Sequence, residues 1–530
     1  MKRLIPLLVI LLVAFSSKGA LNKDLSAPSI TIDEVKFQID PRFEVFHIIS
    51  YLADAPFING LDLMYKKEID SYFSEFSDHP YVSDFERLYK KSFNSADGPM
   101  KFILHCDYDF RPETEFKNPA RDSLAQIIRM FANESDFKRF FNNQTYFYNT
   151  ILKAVKYNFQ NFREKTRMEE YYRSTMDSYS IILNLLHANG NYGIRIKNGN
   201  KYNAHAVIAP QKTYGNIPEF SNSPHNYNLI WHEFSHTFVN PLVDEHSNEV
   251  QKHNHLYDPI KKSMSSQGYH HWNVTVKEHI VRAITARLAA DKYGEDAACL
   301  NHLRGELGRR FIYTPNIYNI LKEYEGTAES FEEFFPEILD DFNEVKESEI
   351  DSLQAKVEKI RQPDVNKIPT LNEEFSKKLK IIYPTNLEND EVRKNVKKYV
   401  LNFRDRYYPN KPVVADSLVK SSNVSNFDLL VFGSPDSNLL LSNQNFPFMI
   451  KNDKVVLNNE IKGSELQMRF SWINPYNKNK IMKVFTAQNP KNLIGIRGVR
   501  IGDSHYVLMN NNKKIKKGNF VRRMKIWFCE

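Results

Sequence analysis

Between residues 30 and 325 apolar positions recur mostly at three- and four-residue intervals, the period of helices that pack by one face. Residues 123–141 and 145–162 carry this pattern most clearly and are predicted to be helices. The period then shortens. Residues 193–196 and 202–209 are extended runs joined across Asn198-Gly199, a two-residue turn signal, so a β-hairpin is expected there. Ser223-Pro224 offers an N-cap followed by proline at the first helical position, and Pro241 is expected to limit the far end, which brackets a helix over 224–239. A polar, His-rich stretch, 244–271, reads as a loop. A second helix is predicted over 274–291, closed by Gly294. Densely charged helices follow at 330–358, and 362–369 reads as a linker.

Beyond the linker the pattern changes again. Residues 379–383, 428–432, 466–473 and 481–485 read as strands, with helices over 391–406 and 435–441. The expected fold class is α+β: a mainly helical domain over 28–365 with a small strand hairpin at its edge, then a smaller C-terminal α/β domain over 370–530. At the other end, Lys2 and Arg3 precede an apolar run over 4–15 and the small residues Ser16, Ser17, Gly19 and Ala20. That is the anatomy of a signal peptide over 1–20, too short for the roughly 20 apolar residues a membrane span needs. Export to the periplasm or medium is therefore expected, with no transmembrane segment and no cysteine near the cleavage region for lipid attachment.

Composition narrows the function classes. A chain of 530 residues with 42% hydrophobic and 26% charged positions is globular and too long for one core. Its 3 cysteines, Cys106, Cys299 and Cys529, are too far apart for a cysteine zinc site. Any metal must be held by His and carboxylates. The net charge of +8 is unevenly spread: residues 366–530 hold 29 Lys+Arg against 14 Asp+Glu, whereas residues 21–365 hold 40 against 50. Export makes nucleic acid an unsuitable partner. The basic excess of the C-terminal domain points instead to an anionic polymer or cell surface.

The chemistry lies on the bracketed helix, at His232-Glu233-Phe234-Ser235-His236. Residues four apart share a helical face, so both imidazoles can converge on one cation, while Glu233 points about 100° away. This pattern predicts one zinc ion with His232 and His236 as ligands and Glu233 as general base. A catalytic zinc site needs a third protein ligand. Positions three and six after His236 are Val239 and Leu242, which excludes the extended three-histidine motif. Glu278, at the start of the second helix, is the leading candidate, and Arg282 one turn on could orient it. Glu245, His246, His271 and His279 are the alternatives.

Asn240-Pro241-Leu242 and Glu278-His279-Ile280-Val281-Arg282-Ala283 make the chain resemble gluzincin-type, thermolysin-like zinc metallopeptidases. It is most similar to a bacterial family of exported zincin-like proteins known only as a domain of unknown function. Asn189-Gly190-Asn191-Tyr192-Gly193, Phe311-Ile312-Tyr313 and Lys322-Glu323-Tyr324-Glu325 extend the likeness over about residues 35–345. The resemblance implies zinc at His232, His236 and Glu278, Glu233 as the catalytic carboxylate, and a peptide or protein substrate. A zinc hydrolase of a non-peptide amide, such as a cell-wall crosslink, and a non-catalytic binding protein are the competing functions. Residues 203–208 are expected to be an edge strand that receives extended peptide, and Tyr313 is a candidate oxyanion donor against an alternative role in the core. Lys513, Lys514, Lys516 and Lys517 read as an exposed basic turn, and Gly502-Asp503-Ser504-His505 as no hydrolase motif.

Overall fold

The structure is a computed structural model that describes residues 24–93, 97–113, 118–187, 190–360, 367–496, 503–523 and 526–529. The expected signal peptide, 1–20, and positions 362–366 of the expected linker lie outside these residues. The fold is α+β, in two compact units: Met1–Lys165 with Met176–Asn226, and Thr166–Thr175 with Tyr227–Glu530. Among the described residues no helix is long and apolar enough to cross a membrane.

The first unit is built on a sheet larger than the expected hairpin. Strands β1 (Ser29–Ile32), β2 (Val35–Gln38), β3 (Ser178–Leu183), β4 (Tyr192–Asn198) and β5 (Lys201–Ile208) form a five-stranded sheet in the order β1-β2-β3-β5-β4. The first two strands hold four residues each, too few to establish a two-residue period in sequence. Asp40 then caps the helix Pro41–Leu52, its carboxylate accepting from the Arg42 amide at 2.9 Å, with Pro41 at the first helical position. Helices Pro119–Glu134 and Thr145–Asn158 match the two strongest periodic segments. The first of these segments is broken at Asp136, whose φ of 48° ends one helix before Phe137–Asn143 begins.

The β4–β5 hairpin lies where expected, but its turn is displaced by one residue. Asn198 pairs with Lys201, so Gly199-Asn200 make the turn, with Gly199 at φ +58°. The expected edge strand at 203–208 is corrected. β5 is interior, because Ala206 pairs with Ile181 of β3 on one side and Gly193 of β4 on the other. Its backbone hydrogen bonds are already used within the sheet. The edge strands of this sheet are β1 and β4, and a short hairpin, β6 (Lys212–Tyr214) with β7 (Ile217–Glu219), follows β5.

In the second unit the helix that begins at Pro224 runs to Glu245, straight through Pro241. Proline removes the hydrogen bond to the carbonyl four residues back and its ring crowds that carbonyl. The buried side chains of Val239, Leu242 and Val243 hold the last turns in place against that loss. The expected loop at 244–271 is also corrected. It folds as Ser247–Lys252, Asn254–Tyr257 and Lys261–Ser265, three short helical pieces pinned by buried Val250, Leu256, Ile260 and Met264. The next helix, Trp272–Tyr293, is buried on nearly every side, and Gly294 ends it at φ +98°.

Residues after 367 supply a seven-stranded sheet. Its strands are β8 (Leu379–Tyr383), β9 (Val413–Ala415), β10 (Asp428–Phe432), β14 (Leu466–Asn474), β15 (Asn477–Ala487), β16 (Tyr506–Asn510) and β17 (Lys513–Gly518), in the order β17-β16-β14-β15-β10-β8-β9. Strands β11 (Met449–Ile450), β12 (Lys454–Val456) and β13 (Glu460–Lys462) form a small second sheet, and β18 (Phe520–Arg523) pairs with β19 (Ile526–Cys529). Alternate residues of β10 face two cores. Leu429 and Val431 join Trp472, Phe446 and Trp527, while Leu430 and Phe432 join Val396 and Val400 of the helix Asp390–Tyr407. The expected helix at 435–441 shrinks to Leu439–Ser442, because Gly433 at φ +120° and the Ser437 hydroxyl, accepting from the Ser434 amide at 2.8 Å, turn the chain there. The lysine-rich stretch is strand β17, a sheet edge rather than a turn; lysine on an edge discourages pairing with other chains.

Gly294 cannot be replaced without cost. Its φ and ψ, 98° and 150°, belong to a region reserved for glycine, and a Cβ there would lie 2.3 Å from the Glu460 carboxyl carbon. Glu460 is itself held, accepting from the Asp296 amide at 2.9 Å and pairing with Lys454 at 3.0 Å. Gly294→Ala is expected to lower stability by about 2–3 kcal/mol, read as a lower denaturant midpoint. An unchanged midpoint would show that the turn relaxes freely.

Candidate metal centre

The two helices that carry the centre owe their positions to their apolar faces. On Pro224–Glu245, Ile230, Trp231, Phe234, Phe238 and Val239 are buried, and Phe238 stacks on Tyr172 with ring centroids 4.1 Å apart. On Trp272–Tyr293, Ile280, Ile284 and Leu288 form the expected stripe, and Tyr293 meets Trp231 at 6.1 Å. This packing brings residues 42 positions apart in sequence face to face. His236 Nε2 lies 3.2 Å from His232 Nε2, 3.4 Å from Glu278 Oε1, and His232 Nε2 lies 3.6 Å from Glu278 Oε2.

Hydrogen bonding decides what these atoms can do. His236 Nδ1 faces the Asn240 side-chain oxygen at 3.1 Å, so Nδ1 carries the proton and the lone pair of Nε2 points at His232 and Glu278. Burial pushes the His232 imidazole well below its ordinary pKa and keeps it neutral. Burial also opposes charge on Glu278, but the Arg282 guanidinium beside it outweighs that and holds the carboxyl below its ordinary pKa. Two imidazole nitrogens and the two oxygens of one carboxylate thus face one another across a short gap. A tetrahedral cation with bonds of about 2.0–2.1 Å requires ligand atoms about 3.3 Å apart, which the separations of 3.2–3.6 Å match. The donor set therefore fits a first-row divalent ion such as zinc.

Glu233 is also close: one carboxylate oxygen and the two histidine nitrogens all lie within 4.8 Å of one another. Either carboxylate could be taken for the third ligand. Glu278 is the better one, because it presents one oxygen to each imidazole and is clamped from behind by Arg282. Glu233, one residue on from His232 and 4% exposed, is left beside the centre where a base belongs.

Arg282 is the pivot of the surroundings. Its Nη2 donates to Glu278 Oε2 at 2.7 Å and to the Tyr269 hydroxyl at 3.2 Å, its Nη1 donates to Glu306 Oε2 at 3.0 Å, and the guanidinium lies 4.0 Å from the centroid of the Phe311 ring. The Arg282 partnership follows from its four-residue spacing to Glu278, and Asn240 stands at the same spacing from His236. Tyr269 and Glu306 carry no such local signal. Burial, with Glu278 adding to it, pushes the Tyr269 hydroxyl up to about 12, so it stays neutral while it accepts from Arg282.

The other candidates lie elsewhere. His279 is fully buried, its Nδ1 2.8 Å from the Thr275 carbonyl and its ring against Phe311 and Tyr313. His246 packs on Phe335, and Glu245 is exposed at the end of its helix. Tyr313 belongs to the core: it is fully buried and its hydroxyl donates to the Leu256 carbonyl at 2.7 Å. Among the described residues, His232, Glu233 and His236 group within 4.8 Å of one another through one ligand atom each, and Glu278 reaches both histidines with its two oxygens.

Residues 113–340 match the model of a family described as Domain of unknown function (DUF4932). The matched stretch contains both helices of the centre in full, with His232, Glu233, His236, Glu278 and Arg282. Comparison with curated proteins found no match.

Proposed function

We propose that the chain is an exported zinc-dependent metallopeptidase of gluzincin type. The observation that carries this reading is the convergence of His232, His236 and Glu278 at ligand-to-ligand distances, with Glu233 beside them. Zinc held by these three side chains would supply Lewis acidity, polarising a scissile carbonyl and making water acidic enough to ionise near neutral pH. Glu233 accepts the proton that water loses and delivers it to the departing amine nitrogen. Asn240 fixes the His236 ring in the tautomer that ligates, and Arg282 keeps the Glu278 carboxylate ionised and aimed at the imidazoles. The substrate is a peptide or protein, and the basic excess after residue 366 offers a surface for an anionic polymer or cell envelope.

Metal analysis tests the centre directly. After mild purification the protein is expected to carry about one zinc per chain, and His236→Ala to fall below half of that. Less than about one zinc per two wild-type chains would reject the site.

A further inference from the structure

We propose that Glu306 is a positioning residue for the metal centre and that the two small C-terminal sheets, β11–β13 and β18–β19, hold it there, so that they take part in setting metal affinity. The inference rests on the zinc reading above. Arg282 is shared between two carboxylates, Glu278 Oε2 at 2.7 Å and Glu306 Oε2 at 3.0 Å, and its side chain is only 7% exposed. Glu306 is also 3.3 Å from Arg309, so the group is a chain of alternating charges, half-buried at Arg309 and Glu306 and buried at Arg282, that ends at the third ligand. Two consequences of removing the Glu306 charge act in one direction. The guanidinium loses the partner that holds it at its present angle, so it is free to draw Glu278 Oε2 away from the imidazoles. The surroundings also gain a net positive charge close to a dication.

What places Glu306 is not the helix it serves. It sits on the short helix Arg304–Gly308, inside a segment whose other side is fastened to the C-terminal sheets. The Asn301 amide donates to the Leu457 carbonyl at 2.7 Å, and Arg304 Nη1 donates to the Trp527 carbonyl at 3.2 Å. Gly305 faces the Phe528 ring so closely that a Cβ would touch it at 3.6 Å. Ten residues before Glu306, the Asp296 carboxylate reaches both Lys451 and Lys454 at 2.7 Å. Contacts both just before Glu306 and further back fix its height and direction, and residues 451–457 around β12, together with β19, are their source.

The experiment is a competition titration of zinc against a chromophoric chelator, with full-length wild type, Glu306→Gln, Glu306→Asp and Asn301→Ala, alongside thermal midpoints of the metal-free proteins. Glu306→Gln is expected to weaken zinc binding by about 10–100-fold, Glu306→Asp to recover most of that, and Asn301→Ala, which changes nothing at the centre, to weaken it by a smaller factor. A purely structural role would lower the metal-free midpoint and leave the affinity of the folded protein unchanged; that result overturns the proposal. Wild-type affinity in Asn301→Ala with a weakened Glu306→Gln overturns the part assigned to the sheets. Should Glu306→Gln fail to fold, Glu306→Asp and Asn301→Ala carry the test alone. A wild type that binds no zinc rejects the underlying reading, and it is recognised by that control.

Discussion

Glu233→Gln is expected to abolish peptide turnover, by about 10²–10⁴-fold in kcat/KM, while the purified variant still carries about one zinc per chain. The substitution is nearly isosteric and the side chain is 4% exposed, so neither helix has cause to move. It removes one property, the capacity to accept a proton. His232, His236 and Glu278 are untouched, and their mutual distances depend on Asn240, Arg282 and the packing of Trp231, Phe234 and Phe238, none of which needs the Glu233 charge. Loss of turnover together with loss of zinc would make Glu233 a ligand. Retained turnover would remove it as the base. His236→Ala serves as the contrast, because there both zinc and activity are expected to go.

The local part of this centre was legible in sequence. His232, His236, Asn240, Glu278 and Arg282 fall on two helices at four-residue spacings, and that spacing alone puts each pair on one face. What brings the two faces together is tertiary, and so are Tyr269 and Glu306, which reach Arg282 from separate segments. The same division runs through the fold. Strands β8 and β10 were legible to the residue because both of their faces are packed against cores, which leaves a mostly apolar run, broken in β8 by Lys380 and opened in β10 by Asp428. Strands β1 and β2 were not, since four residues carry too little period to outvote the helices around them. At Pro241 the general rule against proline within helices lost to three buried apolar side chains. The interior position of β5 depends on β3, a partner that precedes it by about two dozen residues and is invisible to hairpin logic.

A second large effect is expected far from the metal centre, in the response of stability to pH. Glu44, on Pro41–Leu52, is fully buried in the first unit, where its Oε2 accepts from the Tyr65 hydroxyl at 2.6 Å and Tyr65 in turn lies 2.8 Å from the Tyr148 hydroxyl. Burial raises its pKa from 4.5 to about 8; the Tyr65 hydrogen bond pulls the other way, and Asp40 one turn earlier adds to the rise. The folded chain therefore holds this carboxyl protonated at neutral pH, whereas the unfolded chain ionises it near 4.5. Below that value both states carry the proton and Glu44 costs nothing. As pH rises from 4.5 to 8 the unfolded state is favoured by about 1.4 kcal/mol per unit, roughly 5 kcal/mol in all, and above 8 the effect is constant. Buried His47 and His279 and half-buried His205 and His302 have lowered pKa values, so they act in the opposite sense: the stability these neutral imidazoles carry is lost as pH falls below about 6.5. The wild-type curve mixes both trends. Glu44→Gln keeps an acceptor for Tyr65 and cannot ionise, so its advantage over wild type is expected to be smallest near pH 5 and to grow by several kcal/mol toward pH 8 in chemical denaturation. Two parallel curves between pH 5 and 8 would mean that Glu44 is already ionised in the fold and that a cation or water reaches it.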